Sequence, residues 1–150
     1  MLRNNFVALL IHIIINTLVF IVYGIPSSNP RYGFFGELSF FLTTLFCYFV
    51  IGYFMTGKIF KYFKSKVRNI VSISLIFTLG LLVWAYKFIA DIWWVLGYFW
   101  YNYYATPLYS IFSCFHYDPF KLVDLEILFS LLPVLLIWAG MELKNIKKTN

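Results

Sequence analysis

Charge is what this sequence has least of: 12% of its 150 residues are Asp, Glu, Lys or Arg, and only six of those are acidic. A soluble domain carries about 25% charged residues. With 62% hydrophobic residues the chain has too little polar surface to coat a water-facing globule, which excludes an ordinary soluble fold. Cysteine is nearly absent. Cys47 falls near the middle of an apolar run, roughly 14 Å from its start near Leu38 at 1.5 Å per helical residue. Pairing with the distant Cys114 would require bringing the two Cα atoms within about 7 Å, so two unpaired thiols are expected. Also missing are a glycine-rich phosphate loop, a paired-cysteine redox motif and a nucleophile elbow. These absences leave no signature for a cofactor, and none is expected.

What is present is apolar sequence in long runs, at about 6–23, 38–55, 70–90 and 125–141. Each is long enough to cross a hydrocarbon core of about 30 Å as a helix. The expected fold class is therefore an all-α integral membrane protein, a four-transmembrane-helix bundle forming a single domain over 1–150. The first run exceeds the roughly 7–15 apolar residues of a secretory signal, and Ser27 and Ser28 beside Pro26 and Pro30 make a poor cleavage site. A retained first helix is expected. Four crossings put Arg3, the basic loop 56–69 and the C-terminal Lys144, Lys147 and Lys148 on one side, with Arg31, Lys87 and Lys121 toward the other. By the positive-inside rule both termini are cytoplasmic. Richness in Phe, Ile, Tyr, Asn and Lys fits an AT-rich coding genome and a bacterial inner membrane. The formal charge of +6 is accounted for by this flanking role, so anionic lipid headgroups at 56–69, and no nucleic acid, are the expected partners.

Between Ile92 and Tyr117 the chain is apolar and densely aromatic. A fifth crossing there would place the C-terminal lysines outside. Trp and Tyr favour the headgroup level, so Trp93, Trp94, Trp100, Tyr101, Tyr103 and Tyr104 are expected on an interfacial or re-entrant segment between helices 3 and 4, broken near Pro107. The outer aromatic segment, 92–121, is the expected interaction surface.

Few polar groups stand in or beside the spans. His12 and Asn16 are four apart and share a helical face, a spacing suited to interhelical hydrogen bonding or to a relay. Thr43 and Thr44 on the second span, with Ser72, Ser74, Thr78 and Gly80 on the third, suit close helix packing. Lys87 and Asp91 have the spacing of an ion pair at the outer end of the third span. Cys114, His116 and Asp118 alternate, so an extended strand would present three metal-competent side chains on one face, while a helix would separate them. Glu37, Asp124 and Glu126 complete the outer acids that an interfacial enzyme would draw on.

The plan of four helices, small size and inward termini is similar to that of the GtrA-like membrane proteins, a resemblance that implies movement of polyprenyl-linked sugars. Asn16-Thr17-Leu18 is its local echo. The glycine pair that family places before such an Asn is replaced here by Ile13, Ile14 and Ile15, and no residue role carries over. The expected function is non-enzymatic: protein–protein or lipid contacts, as an accessory subunit of a membrane complex or an immunity-type factor, with a membrane-protein partner or a homo-oligomer. The alternatives are a small oligomeric transporter or lipid-linked-substrate translocation component, and an interfacial membrane enzyme.

Overall fold

The computed structural model describes residues 1–23, 33–89 and 123–149, and there the chain is helical with no strand. Helix α1 is Leu2–Tyr23, α2 is Gly33–Met55, α3 is Lys66–Val71, α4 is Leu75–Ile89 and α5 is Val123–Thr149. Among the described residues two helices hold an apolar window long enough to cross a membrane, Leu2–Val19 and Leu38–Met55. Only 33% and 28% of those windows is buried, so neither behaves as the core helix of a soluble protein.

Local chemistry sets the boundaries. Helix α2 ends where Gly57 adopts a φ of 80°, the left-handed conformation that glycine takes without a Cβ penalty. The chain then folds back tightly, with the N–H groups of Lys58, Ile59 and Phe60 all directed at the Met55 carbonyl. Ser65 opens α3 in an extended conformation, its hydroxyl accepting from the Arg68 N–H at 3.5 Å. The apolar stretch 70–90 is not one continuous helix, because it is divided at Ser72–Ser74. There the Ser72 hydroxyl donates to the Asn69 carbonyl at 2.8 Å and the Ser74 hydroxyl to the Val71 carbonyl at 3.0 Å. Serine side chains that compete for backbone carbonyls in this way bend or interrupt helices.

The closest helix pair is α2 with α5. A Cβ on Gly52 would lie 2.8 Å from the Ile137 carbonyl carbon, and one on Gly140 would lie 2.6 Å from the Tyr53 backbone nitrogen. Each helix thus offers a glycine to the other's backbone, the small-residue contact that membrane helices use in place of a hydrophobic driving force. Helix α4 packs on α5, and α1 on α4. The core between them contains Ala8, Tyr48, Phe60, Ile73, Ile76, Ile137 and Met141. Pro133 lies inside α5 and is buried, so its missing N–H interrupts the helix ladder within the bundle.

Candidate functional site

Helix α1 has its polarity turned inward. Asn4, His12 and Asn16 are 1%, 2% and 1% exposed, whereas Phe6 and Ile21 on the opposite side are 66% and 71% exposed. Together with Ala8 and Val19, the buried polar residues recur at helical spacing and define one face. In water this arrangement is backwards, since it hides amides and an imidazole while presenting Leu, Phe and Ile to solvent.

Two buried polar clusters lie along that face. In the first, Asn16 Nδ2 stands 3.0 Å from His12 Nε2, and His12 Nδ1 stands 2.8 Å from the Tyr48 hydroxyl of α2. With the amide nitrogen donating to Nε2, the proton resides on Nδ1 and the ring donates to Tyr48 Oη. The i, i+4 spacing therefore brings His12 and Asn16 together as the sequence implied. Tyr48, 0% exposed, completes the link between α1 and α2. Next to this cluster, Ile15, Leu18, Val19, Phe40, Thr44 and Cys47 line an apolar cleft between these helices of 210 Å³.

The second cluster ties the N-terminal end of α1 to the segment after α2. The Asn4 side chain donates to the Lys61 carbonyl at 2.8 Å and accepts from the Lys61 N–H at 2.9 Å. Asn69 treats Phe63 identically, donating to its carbonyl at 2.9 Å and accepting from its N–H at 2.8 Å. Two buried amides thus stand where a neighbouring β-strand would, and they satisfy the backbone of the non-helical strap 61–64. Asn5 spans the break between α3 and α4, donating to the Val71 carbonyl at 3.2 Å and accepting from the Leu75 N–H at 3.0 Å. Arg3 donates to the Ile59 carbonyl at 2.7 Å.

Glu142 of α5 anchors the far side. Its carboxylate accepts from Asn69 Nδ2 at 3.1 Å, Trp138 Nε1 at 3.1 Å and the Tyr62 hydroxyl at 2.9 Å. All three donors are neutral. Burial, with the Glu142 hydrogen bond and charge, holds the Tyr62 phenol above its ordinary range, so it remains a donor through neutral pH. Lys144 directs its ammonium at the Phe54 and Thr56 carbonyls, where a cation complements the C-terminal end of α2.

Several residues singled out in the sequence lie elsewhere. Trp93, Trp94, Trp100, Tyr101, Tyr103, Tyr104, Asp91, Cys114, His116 and Asp118 fall outside the described residues, and of Lys87 only its place in α4 is described. Among the described residues no three His, Cys, Asp or Glu side chains gather as a metal site. Cys47 is an exposed free thiol. Thr44 and Ser72 are buried, with Thr44 donating to the Phe40 carbonyl at 3.0 Å, whereas Thr43 and Thr78 face outward. Sequence reasoning missed Asn4, Asn69, Tyr62 and Glu142. The available signals were a pair of asparagines opening an apolar run and a glutamate one turn after a tryptophan. No family model, curated protein or solved structure matches this chain, the GtrA-like family included.

Proposed function

We propose that this is a small multi-pass membrane protein with both termini and the 56–69 segment in the cytoplasm, acting by contact with lipid and with a membrane-protein partner. The inverted polarity of α1 carries the reading, because a helix that buries Asn4, His12 and Asn16 and exposes Phe6, Leu10 and Ile21 is matched to hydrocarbon. The bundle also brings the charge-bearing segments together. Arg3 reaches the 56–60 turn, Lys144 reaches the end of α2, and both lie beside the basic strap, as an inward-facing end requires. Helices α4 and α5 complete the four crossings in this proposal. The bacterial inner membrane is the location that the sequence favours. The described polar clusters join helix to helix and helix to strap, which supports a contact role over catalysis. The aromatic segment 92–121 is the proposed outer contact surface.

A Lys64→Cys protein in a Cys47→Ser, Cys114→Ser background should react with a membrane-impermeant maleimide only in inside-out vesicles. Combining it with Trp93→Ala, Trp94→Ala and Trp100→Ala should leave that labelling unchanged while abolishing recovery of a partner in mild detergent. Unchanged recovery would remove the aromatic surface from the proposal, and labelling from the outside would reverse the topology.

The His12–Asn16–Tyr48 chain favours transport as a second reading, since it is the one described imidazole site within a candidate span. Reconstituted protein should then move protons or a coupled solute, with the flux lost on His12→Ala. Flux equal to that of empty liposomes would dismiss this reading.

A further inference from the structure

The strap at 61–64 is held with unusual economy: its backbone is fixed from beneath by Asn4 and Asn69, and its cationic side chains are left outside. Phe60 just before it is 1% exposed, so the segment is anchored at both ends. Outward from that anchor stand Lys58, Lys61, Lys64, Lys66 and Arg68, all exposed. Two of these share one ring. The Lys61 ammonium lies 5.8 Å and the Arg68 guanidinium 5.0 Å from the centre of Phe63. Around the same end Lys147 lies 5.7 Å from the centre of Tyr53. Cations resting on aromatic rings keep their outer hydrogen-bonding directions available while losing rotational freedom.

We propose that this end of the bundle is a preorganised anionic phospholipid site, in which Lys61 and Arg68, both held against Phe63, take a lipid phosphate from the cytoplasmic leaflet. The inference rests on the membrane reading above and adds to it a defined headgroup contact. Two observations and one general tendency favour lipid over other anions. The cations ring the end of a bundle whose sides are apolar. Phe63 is a half-buried aromatic ring, of the kind that favours the level where headgroup meets chain. Juxtamembrane cations near an anionic leaflet are drawn to it. Preorganisation separates this site from a generic basic loop, because a loop that must first be ordered loses affinity in ordering. The two asparagines therefore matter to binding although they touch no headgroup.

The test uses the full-length protein in nanodiscs of pure phosphatidylcholine or with one fifth phosphatidylglycerol, with retained lipid counted by native mass spectrometry after mild release. Retention of phosphatidylglycerol over phosphatidylcholine is expected, falling roughly tenfold in a Lys61→Gln, Arg68→Gln double variant. Both side chains are exposed, so that variant should fold. Asn4→Ala keeps every charge but frees the strap, and its retention should fall as well. A circular-dichroism melt checks that its helices remain. Equal retention by the wild type and the double variant overturns the proposal. Retention lost in the double variant but unchanged in Asn4→Ala overturns preorganisation. Displacement of the lipid by millimolar inorganic phosphate, or stronger binding to a polyglutamate peptide than to phosphatidylglycerol vesicles, assigns the surface to a soluble anion or an acidic protein and overturns it too. Alkaline carbonate extraction separates the failures: protein released from the membrane defeats the membrane reading, whereas protein retained without lipid preference defeats only this site.

Discussion

Gly140→Ala should destabilise the detergent-solubilised protein by about 2 kcal/mol, although alanine is the better helix former by about 1 kcal/mol. The steric term decides the sign. A Cβ at this position would run into the Phe49 carbonyl and sit 2.6 Å from the Tyr53 nitrogen, both of them backbone atoms of α2. A flexible side chain would swing aside, but a helix backbone cannot move without shifting the whole element. The overpacking cost therefore lies near the upper part of its usual range, about 3 kcal/mol. Gly52→Ala should do the same through the Ile137 carbonyl. The double variant should cost less than the two single changes together, because both act on one seam and the first already parts the helices. Thermal or denaturant unfolding followed by circular dichroism reads all three. A Gly140→Ala protein as stable as the parent would show that α2 and α5 do not approach this closely.

The second large effect is expected at Asn69, which is 0% exposed and whose amide serves three partners. Asn69→Leu keeps much of the volume but strips the Phe63 N–H and carbonyl of their partners and removes a donor from Glu142. Each buried group left unsatisfied costs about 1–3 kcal/mol; with the Phe63 backbone only partly buried, a total of about 3 kcal/mol follows. Asn69→Asp distinguishes polarity from shape. It retains an acceptor for the Phe63 N–H but sets a second carboxylate beside Glu142. Repulsion raises the proton affinity of such a pair, so stability should return as pH falls and be lost as pH rises. Unfolding midpoints at pH 5 and pH 8 should therefore differ more for Asn69→Asp than for the parent; equal differences would show that the two groups do not meet. The same box has an alkaline limit. The Tyr62 phenol is held above its ordinary value of 10.0, so its contribution is intact below that pH and disappears as pH rises through the folded-state value. Tyr62→Phe should abolish that alkaline loss.

The helical class was legible because apolar runs of spanning length have few other structures open to them. Helices α1 and α2 begin several residues before the apolar runs that announced them, at Leu2 and Gly33, since apolar runs mark hydrocarbon and helices continue past it. The break at Ser72–Ser74 was written in the two serines, but hydropathy averages over such residues. His12 and Asn16 were legible because helical spacing alone places them on one face. Their partner Tyr48 was not, since no local rule selects one tyrosine among twelve. Asn4 and Asn69 escaped notice for a related reason. Their partners are backbone atoms at Lys61 and Phe63, and backbone atoms have no letter in a sequence. Read by charge alone, the 56–69 stretch gave its lysines and arginines but not the fold that presents them.

The asparagines at positions 4 and 5 also impose an order on assembly. Helix α1 is made before the groups that satisfy its polar end, which are the Lys61 backbone, the Ser72 hydroxyl, the Val71 carbonyl and the Leu75 N–H. His12 likewise waits for Tyr48. On the membrane reading proposed above, α1 would enter the bilayer with these side chains still hydrated or borrowing temporary partners, and would acquire its permanent ones only once the chain has been made as far as Leu75. Until then α1 has an unfinished face, and whatever attends it during that interval meets a surface that the folded molecule no longer shows.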